Sequence, residues 1–125
     1  MMTARIAING FGRIGRGVLR AILEQGSDLE IVAVNDLTDG DALAQLYNFD
    51  SVYGRAKERM TYEDDHLVVG GRKIQILAEK DPTLLPWGEL DVEVVLESTG
   101  RFTAAADASQ HLEAGAKRVL VSAPS

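Results

Sequence analysis

The chain has no cysteine, only two histidines, three prolines and one tryptophan among its 125 residues. Without cysteine these residues can form no disulfide framework, no thiolate metal site and no thiolate nucleophile. His66 and His111 stand far apart and belong to no metal-ligand spacing, so both read as surface residues and no metal site is expected. Tyr47, Phe49 and Tyr53 are irregularly spaced and read as packing, as does Trp87. No apolar run has the length of a membrane span, and no signal-peptide pattern, internal repeat or low-complexity tract is evident. The formal net charge of −6 argues against a nucleic-acid footprint, and the absent cysteine fits a reducing compartment, so the expectation is a cytoplasmic protein. With 46% apolar residues the chain can build a core, as one domain or part of one.

What is present concentrates near the start. An apolar run, Ile6-Ala7-Ile8, leads into Asn9 and then Gly10-Phe11-Gly12-Arg13-Ile14-Gly15. This GxGxxG pattern between a strand and a helix is a phosphate-binding turn. Gly10 permits the tight turn, Gly12 lets backbone approach a pyrophosphate, and Gly15 lets the helix pack against the strand. The free amides of the first helical turn then face the phosphates, with Arg13 placed to touch them as well. A second run, Ile31-Val32-Ala33-Val34, ends in Asn35-Asp36. Asp36 follows Gly15 at about the 20-residue spacing of the acid that accepts both ribose hydroxyls. A carboxylate there would repel a 2′-phosphate, so the motif favours NAD over NADP.

The rest of the chain supplies the sheet such a motif needs. Residues 5–9 read as a buried strand, and 13–25 as its crossover helix. Ile14, Val18 and Ile22, with Ala21, form the expected inward stripe, while Arg13, Arg16 and Arg20 line the outer side. Gly26 is a plausible terminator. Residues 30–35 form the second strand, and Asp39-Gly40-Asp41 can cap a helix over about 42–49. A polar connection from Asp50 to Arg59 follows. Two β-rich runs flanking Gly70-Gly71 read as a hairpin, an antiparallel insertion preceding the third strand of the main sheet. Val92 to Leu96 is a further strand, Thr103 can cap a helix over about 104–114 closed by Gly115, and Arg118 to Ser122 is the last strand. The fold class is α/β: a Rossmann-type doubly wound parallel sheet with an antiparallel hairpin insertion.

In open parallel sheets, ligands bind beyond the carboxyl ends of the strands. The residues that follow the apolar runs are Asn9, Asn35, Asp36, Ser98, Thr99 and Ser122, so four strand ends bring small polar groups to one edge.

Ile8-Asn9-Gly10-Phe11-Gly12-Arg13-Ile14-Gly15-Arg16 resembles the opening of glyceraldehyde-3-phosphate dehydrogenase. So do Val34-Asn35-Asp36-Leu37, Tyr53-Gly54-Arg55, Glu97-Ser98-Thr99-Gly100-Arg101-Phe102-Thr103 and Ser122-Ala123-Pro124. These segments are correctly ordered and span the chain, in the style of the bacterial phosphorylating enzymes. The resemblance implies that backbone around Arg13 and Ile14 holds the pyrophosphate, and that Asp36, with Leu37 beside it, holds the adenosine ribose of NAD. It implies that Lys80 stands near the adenine, where the family often has arginine. It further implies that Ser98 to Gly100 and Phe102 line the cofactor cleft, and that Ser122 approaches the nicotinamide half.

The resemblance implies glycolytic oxidation and phosphorylation of glyceraldehyde 3-phosphate to 1,3-bisphosphoglycerate, in a homotetramer. The family forms a thiohemiacetal on a cysteine, passes hydride to NAD and releases the acyl group to phosphate. The family's chain is more than twice as long. Its cysteine nucleophile, histidine base and substrate-phosphate ligands follow the position of Ser125. The expectation is therefore one NAD-binding domain over residues 1–125, incomplete at its C-terminal end, lacking the C-terminal catalytic domain and inactive alone. A substrate would be bound only with that missing part; no membrane or nucleic-acid partner is expected. Val119, Leu120 and Val121 would leave an apolar sheet edge unless the sheet continues, which favours a piece of a longer enzyme. Three alternatives remain. One is a naturally truncated NAD-binding or interaction module, and another a subunit whose sheet a second chain completes. The third is an erythrose-4-phosphate dehydrogenase relative. That enzyme typically carries Asn-Glu at Asn35-Asp36 and Cys-Thr-Gly at Ser98-Thr99-Gly100, which favours the glyceraldehyde-3-phosphate reading.

Overall fold

The computed structural model describes residues 4–25, 29–50, 59–98 and 105–121. Strand β1 (Ala4–Asn9) is followed by helix α1 (Arg13–Gln25), β2 (Leu29–Asn35) and α2 (Gly40–Asp50). Then come β3 (Thr61–Glu63), β4 (His66–Val69), β5 (Arg72–Leu77), a 3-10 turn at Pro82–Leu84, β6 (Val94–Glu97), α3 (Ala105–Glu113) and β7 (Arg118–Val121).

The strands form one sheet in the order β3-β4-β5-β2-β1-β6-β7. Five run parallel, β5-β2-β1-β6-β7, and β3 and β4 add an antiparallel flap beside β5. From β1 the sheet grows first towards β2 and β5, then on the other side towards β6 and β7, so the order reverses at β1. This is the doubly wound arrangement, with its crevice at the carboxyl end of β1. The insertion differs from a separate hairpin in one respect. Its last strand, β5, pairs antiparallel with β4 and parallel with β2, and is itself the third parallel strand. Gly70 and Gly71 both have positive φ at the β4–β5 turn, and Asp64 and Asp65 do the same at the β3–β4 turn.

Alternation along β1 separates two cores. Ile6 and Ile8 pack with Leu19, Ile22, Ile31, Val34, Leu43, Tyr47, Met60, Leu67 and Ile74 on the face covered by α1 and α2. Ala7 and Ala33 face the other side, packed with Leu85, Trp87, Val92, Val95 and Ala116. Small residues in the sheet make room for the indole, which is fully buried.

Helix α1 departs from the expected facing. Leu19 and Ile22 are its buried apolar residues, whereas Ala21 is exposed and Ile14 is 52% exposed. The reason lies at Gly15. A Cβ there would stand 2.8 Å from the Gly10 carbonyl oxygen and 2.9 Å from Ile8 Cγ2. The helix therefore meets β1 through glycine, and Ile14 is turned outward. The same rotation buries Arg16, which the helical spacing set on the outer side opposite the apolar stripe. Its guanidinium donates to the Phe11 carbonyl at 2.9 Å. Arg20 is half-buried, donating to the Tyr47 carbonyl at 3.1 Å and lying 4.7 Å from that ring's centroid. Of the residues read as packing, Tyr47 and Trp87 are buried, but Phe49 is 63% exposed on α2.

Helix α3 ends in a Schellman-type closure. Ala116 N donates to the His111 carbonyl at 3.1 Å and Gly115 N to that of Leu112 at 3.0 Å. A side chain at Gly115 would collide with the Gly88 backbone, so this closure also docks α3 on the Trp87 loop. The expectations at Gly26, Tyr53 and Thr103 lie outside the described residues.

Candidate functional site

The carboxyl ends of β1, β2 and β6 converge around the Gly10 turn. Gly10 has a φ of 94°, beyond what an L side chain adopts readily. Its amide donates to the Asn35 carbonyl at 2.8 Å. The next amide, of Phe11, donates to Asp36 Oδ2 at 2.8 Å, and Asp36 Oδ1 accepts from the Thr38 amide at 2.9 Å. Asp36 is thus clamped to the glycine turn while only half-buried, with lone pairs left on both oxygens. From the other side, Ser98 Oγ donates to the Gly10 carbonyl at 2.6 Å and the Ser98 amide to the Asn9 carbonyl at 2.8 Å.

Beyond this turn begins α1. Its intrahelical bonding starts with the Arg16 amide donating to Gly12 at 2.9 Å, so the amides before it have no acceptor within the helix. Gly12, Arg13 and Ile14 are exposed there. Open amides at a helix start suit a pyrophosphate, and a half-open carboxylate at the end of β2 suits a ribose diol. The residues present fit a dinucleotide, and the Gly15 contact keeps the helix start close to the sheet. Leu37 is exposed beside Asp36. Lys80 is exposed after β5, and its neighbour Glu79 is tied to Asn35. Thr99, Gly100, Phe102 and Ser122, also expected at the site, lie outside the described residues.

The side chains of Asn9 and Asn35 turn inward. Asn35 Nδ2 donates to Asn9 Oδ1 at 2.7 Å and to the Glu79 carbonyl at 2.9 Å, and Asn35 Oδ1 accepts from the Glu79 amide at 2.8 Å. Asn9 Nδ2 donates to Glu97 Oε1 at 2.6 Å. The two asparagines brace the strand ends and leave Gly10, Asp36 and the start of α1 to face outward.

Glu97 and His111 were not singled out from the sequence as site residues, and His111 corrects its expected surface position. It is completely buried, its Nε2 2.7 Å from Glu97 Oε1 and its Nδ1 accepting from Trp87 Nε1 at 3.1 Å. The physical reason is that α3 docks through small residues at its end and turns His111 to the sheet, leaving Leu112 exposed. A signal was available: Ala114-Gly115-Ala116 marks a close helix approach, and His111 lies one turn before it.

A family model for the NAD-binding domain of glyceraldehyde 3-phosphate dehydrogenase matches residues 4–105. The chain belongs to this family. Similar relatives are named glyceraldehyde-3-phosphate dehydrogenase. That of Kitasatospora aureofaciens is 61% identical over 120 residues, 96% of this chain and 36% of the relative. That of Chlamydia pneumoniae is 56% identical over the same shares. The protein of Geobacillus stearothermophilus is 54% identical over 98% of this chain and 36% of its own. The chain thus spans little more than a third of the length of these relatives. As a glyceraldehyde 3-phosphate dehydrogenase NAD-binding domain it takes NAD as cofactor. Among the described residues, no helix is long and apolar enough to cross a membrane.

Proposed function

We propose that this chain is the cofactor-binding part of a phosphorylating, NAD-dependent glyceraldehyde-3-phosphate dehydrogenase that works in the cytoplasm as a homotetramer. The observation carrying this reading is the Asp36 carboxylate clamped by the Phe11 and Thr38 amides beside the open start of α1. Asp36 would hold the adenosine ribose, amides from Gly12 to Ile14 the pyrophosphate, and Ser98 would keep the turn in place. Lys80 and Leu37 would border the adenine. Thr99, Gly100 and Phe102 would line the cleft, with Ser122 towards the nicotinamide.

When bound, NAD supplies the hydride acceptor for oxidation of an aldehyde. These residues hold and orient that acceptor, and the turn keeps water from the pyrophosphate by replacing it with amides. The chain contains no cysteine, so on this reading the thiolate step belongs to residues beyond these 125 and the chain alone oxidises no aldehyde. The test is titration of the natural gene product with NAD and NADP by calorimetry, followed by an assay for phosphate-dependent oxidation of glyceraldehyde 3-phosphate. NAD preference with turnover supports the reading. Tight NAD binding without turnover leaves a binding module, and no binding of either dinucleotide overturns it.

A further inference from the structure

A continuous chain of buried polar side chains crosses the sheet edge beneath the glycine turn. It runs from Trp87 through His111, Glu97 and Asn9 to Asn35, joining the loop before β6 to helix α3 and to the ends of β6, β1 and β2. His111 and Glu97 are as deeply buried as the apolar core.

Its hydrogen bonds can run in one direction only. The Trp87 indole can only donate, so His111 Nδ1 accepts and the ring hydrogen sits on Nε2, facing Glu97. The Glu97 carboxylate can only accept, so it takes that hydrogen and one from Asn9 Nδ2. Both donors converge on Oε1, and this is why they approach within 3.4 Å of each other without being bonded. With Nδ2 committed to Glu97, Asn9 presents Oδ1 to Asn35 Nδ2, and Asn35 presents its own Oδ1 to the Glu79 amide. The donor-only indole and the acceptor-only carboxylate thus fix the His111 ring and the Asn9 amide, and the Glu79 backbone fixes Asn35 from the far end. The backbone of the last two members carries the turn: Asn35 O receives the Gly10 amide and Asn9 O the Ser98 amide.

We propose that Trp87, His111 and Glu97 are positioning residues for the dinucleotide turn, acting through Asn9 and Asn35 without touching the cofactor. The proposal rests on the NAD-binding reading for its consequence in affinity, but the placement of the turn can be tested without ligand. Losing the anchor lets the Asn9 amide turn away from Asn35, which the Glu79 backbone still holds, and the Gly10–Ile14 backbone then samples positions that no longer match a pyrophosphate.

The test uses the natural gene product with Glu97→Ala, Glu97→Gln and Trp87→Phe. Leu67→Ala serves as a control that empties part of the core in β4, three strands along the sheet from β1. Two readouts are taken: amide hydrogen exchange without NAD, and the NAD dissociation constant. Glu97→Ala should speed exchange at Gly10–Ile14 and weaken NAD binding, each about tenfold, because two buried donors lose their acceptor. Trp87→Phe, which removes the donor to His111 Nδ1 and so loosens the ring that faces Glu97, should act in the same direction by about threefold and add nothing in the Glu97→Ala background. Glu97→Gln keeps an acceptor oxygen and should recover most of the loss. Leu67→Ala should lower the melting temperature while leaving turn exchange and affinity alone.

Exchange and affinity within twofold of wild type in both Glu97→Ala and Trp87→Phe would overturn the proposal. So would a Leu67→Ala variant that weakens NAD as much as they do. If Glu97→Ala does not fold, Trp87→Phe decides. A wild-type protein that binds no NAD defeats the cofactor reading, while exchange at the turn still decides the positioning role.

Discussion

The Phe11 amide donates to the Asp36 carboxylate at 2.8 Å, so the residue placed to hold a ribose also closes the turn placed to hold a pyrophosphate. Both oxygens of Asp36 accept from backbone amides, which locks the carboxylate in one rotamer before any ligand arrives. A locked acceptor loses little freedom on binding.

Asp36→Asn should therefore be more damaging than its shape suggests. Whichever way the carboxamide turns, its NH₂ meets the amide of Phe11 or of Thr38, and one donor is orphaned. The expected cost is about 1 kcal/mol in urea unfolding. The preference for NAD over NADP, read by calorimetry, should shrink as the negative charge is lost. An unchanged affinity ratio would remove Asp36 from the ribose role.

Gly15→Ala tests the seat of α1. The new methyl would press on the Gly10 carbonyl, a backbone atom that cannot rotate away, and on Ile8. We expect a loss of about 1–3 kcal/mol in thermal unfolding, as for other overpacked sites. NAD binding should also weaken, because the helix start is pushed from the turn. Gly17→Ala, where a Cβ meets nothing within 4 Å, should cost nothing.

Asn48 on α2 holds the chain just before β3 through two bonds, one donated to the Met60 carbonyl and one accepted from the Met60 amide, both 2.8 Å. Asn48→Ala leaves both backbone groups of the buried Met60 short of a partner. A loss of about 1–3 kcal/mol is expected in chemical denaturation. A loss below a few tenths of a kcal/mol would show that water replaces the clip.

Asp81 accepts from the Thr83 hydroxyl at 2.7 Å and the Thr83 amide at 3.0 Å. These bonds, the hydroxyl first, hold its carboxyl below the ordinary value of 3.8. A carboxyl depressed in the folded state contributes stability that is present above its unfolded value and lost as pH falls through the folded one. The contribution should therefore disappear below about pH 4. Carboxyl-carbon NMR should place the Asp81 midpoint below 3.8, and Thr83→Val should move it upward. A midpoint that ignores Thr83→Val would rule out the hydroxyl as the cause.

The readable parts of the fold were those where local chemistry and position coincide. Gly10, Gly12 and Gly15 between an apolar run and a helix fix strand, turn and helix together, and Asp36 falls where the second strand must end. Strands β1, β2, β6 and β7 were legible because each is an apolar run followed by a polar residue, whereas β5, with Arg72, Lys73 and Gln75 in it, read only as an arm of the hairpin. The facing of α1 was not legible. Periodicity gives a stripe, but which stripe turns inward was decided by the Gly15 contact with Gly10 and Ile8 at the end of the preceding strand. Arg16 and His111 were misplaced for a related reason. Composition assigns a charged or titratable side chain to the surface unless its partner is visible. The Phe11 carbonyl reaches Arg16 through the turn into α1, and the Glu97–Trp87 pair reaches His111 only across the completed sheet.

Strand β5 belongs to two pairings of very different reach. Its antiparallel partner β4 is reached through a two-glycine turn, whereas its parallel partner β2 is distant in sequence, with Ala33 set against Gln75. Closing a short loop costs less entropy, and hairpins form in about 1–10 μs, well ahead of distant parallel pairs. The flap is then a template: it presents β5 as a ready edge on which β2 can dock, and the parallel sheet assembles outward from it. On this logic, substitutions at Gly70 or Gly71 should slow refolding more than they speed unfolding, whereas the ends of β6 and β7 should show the opposite pattern.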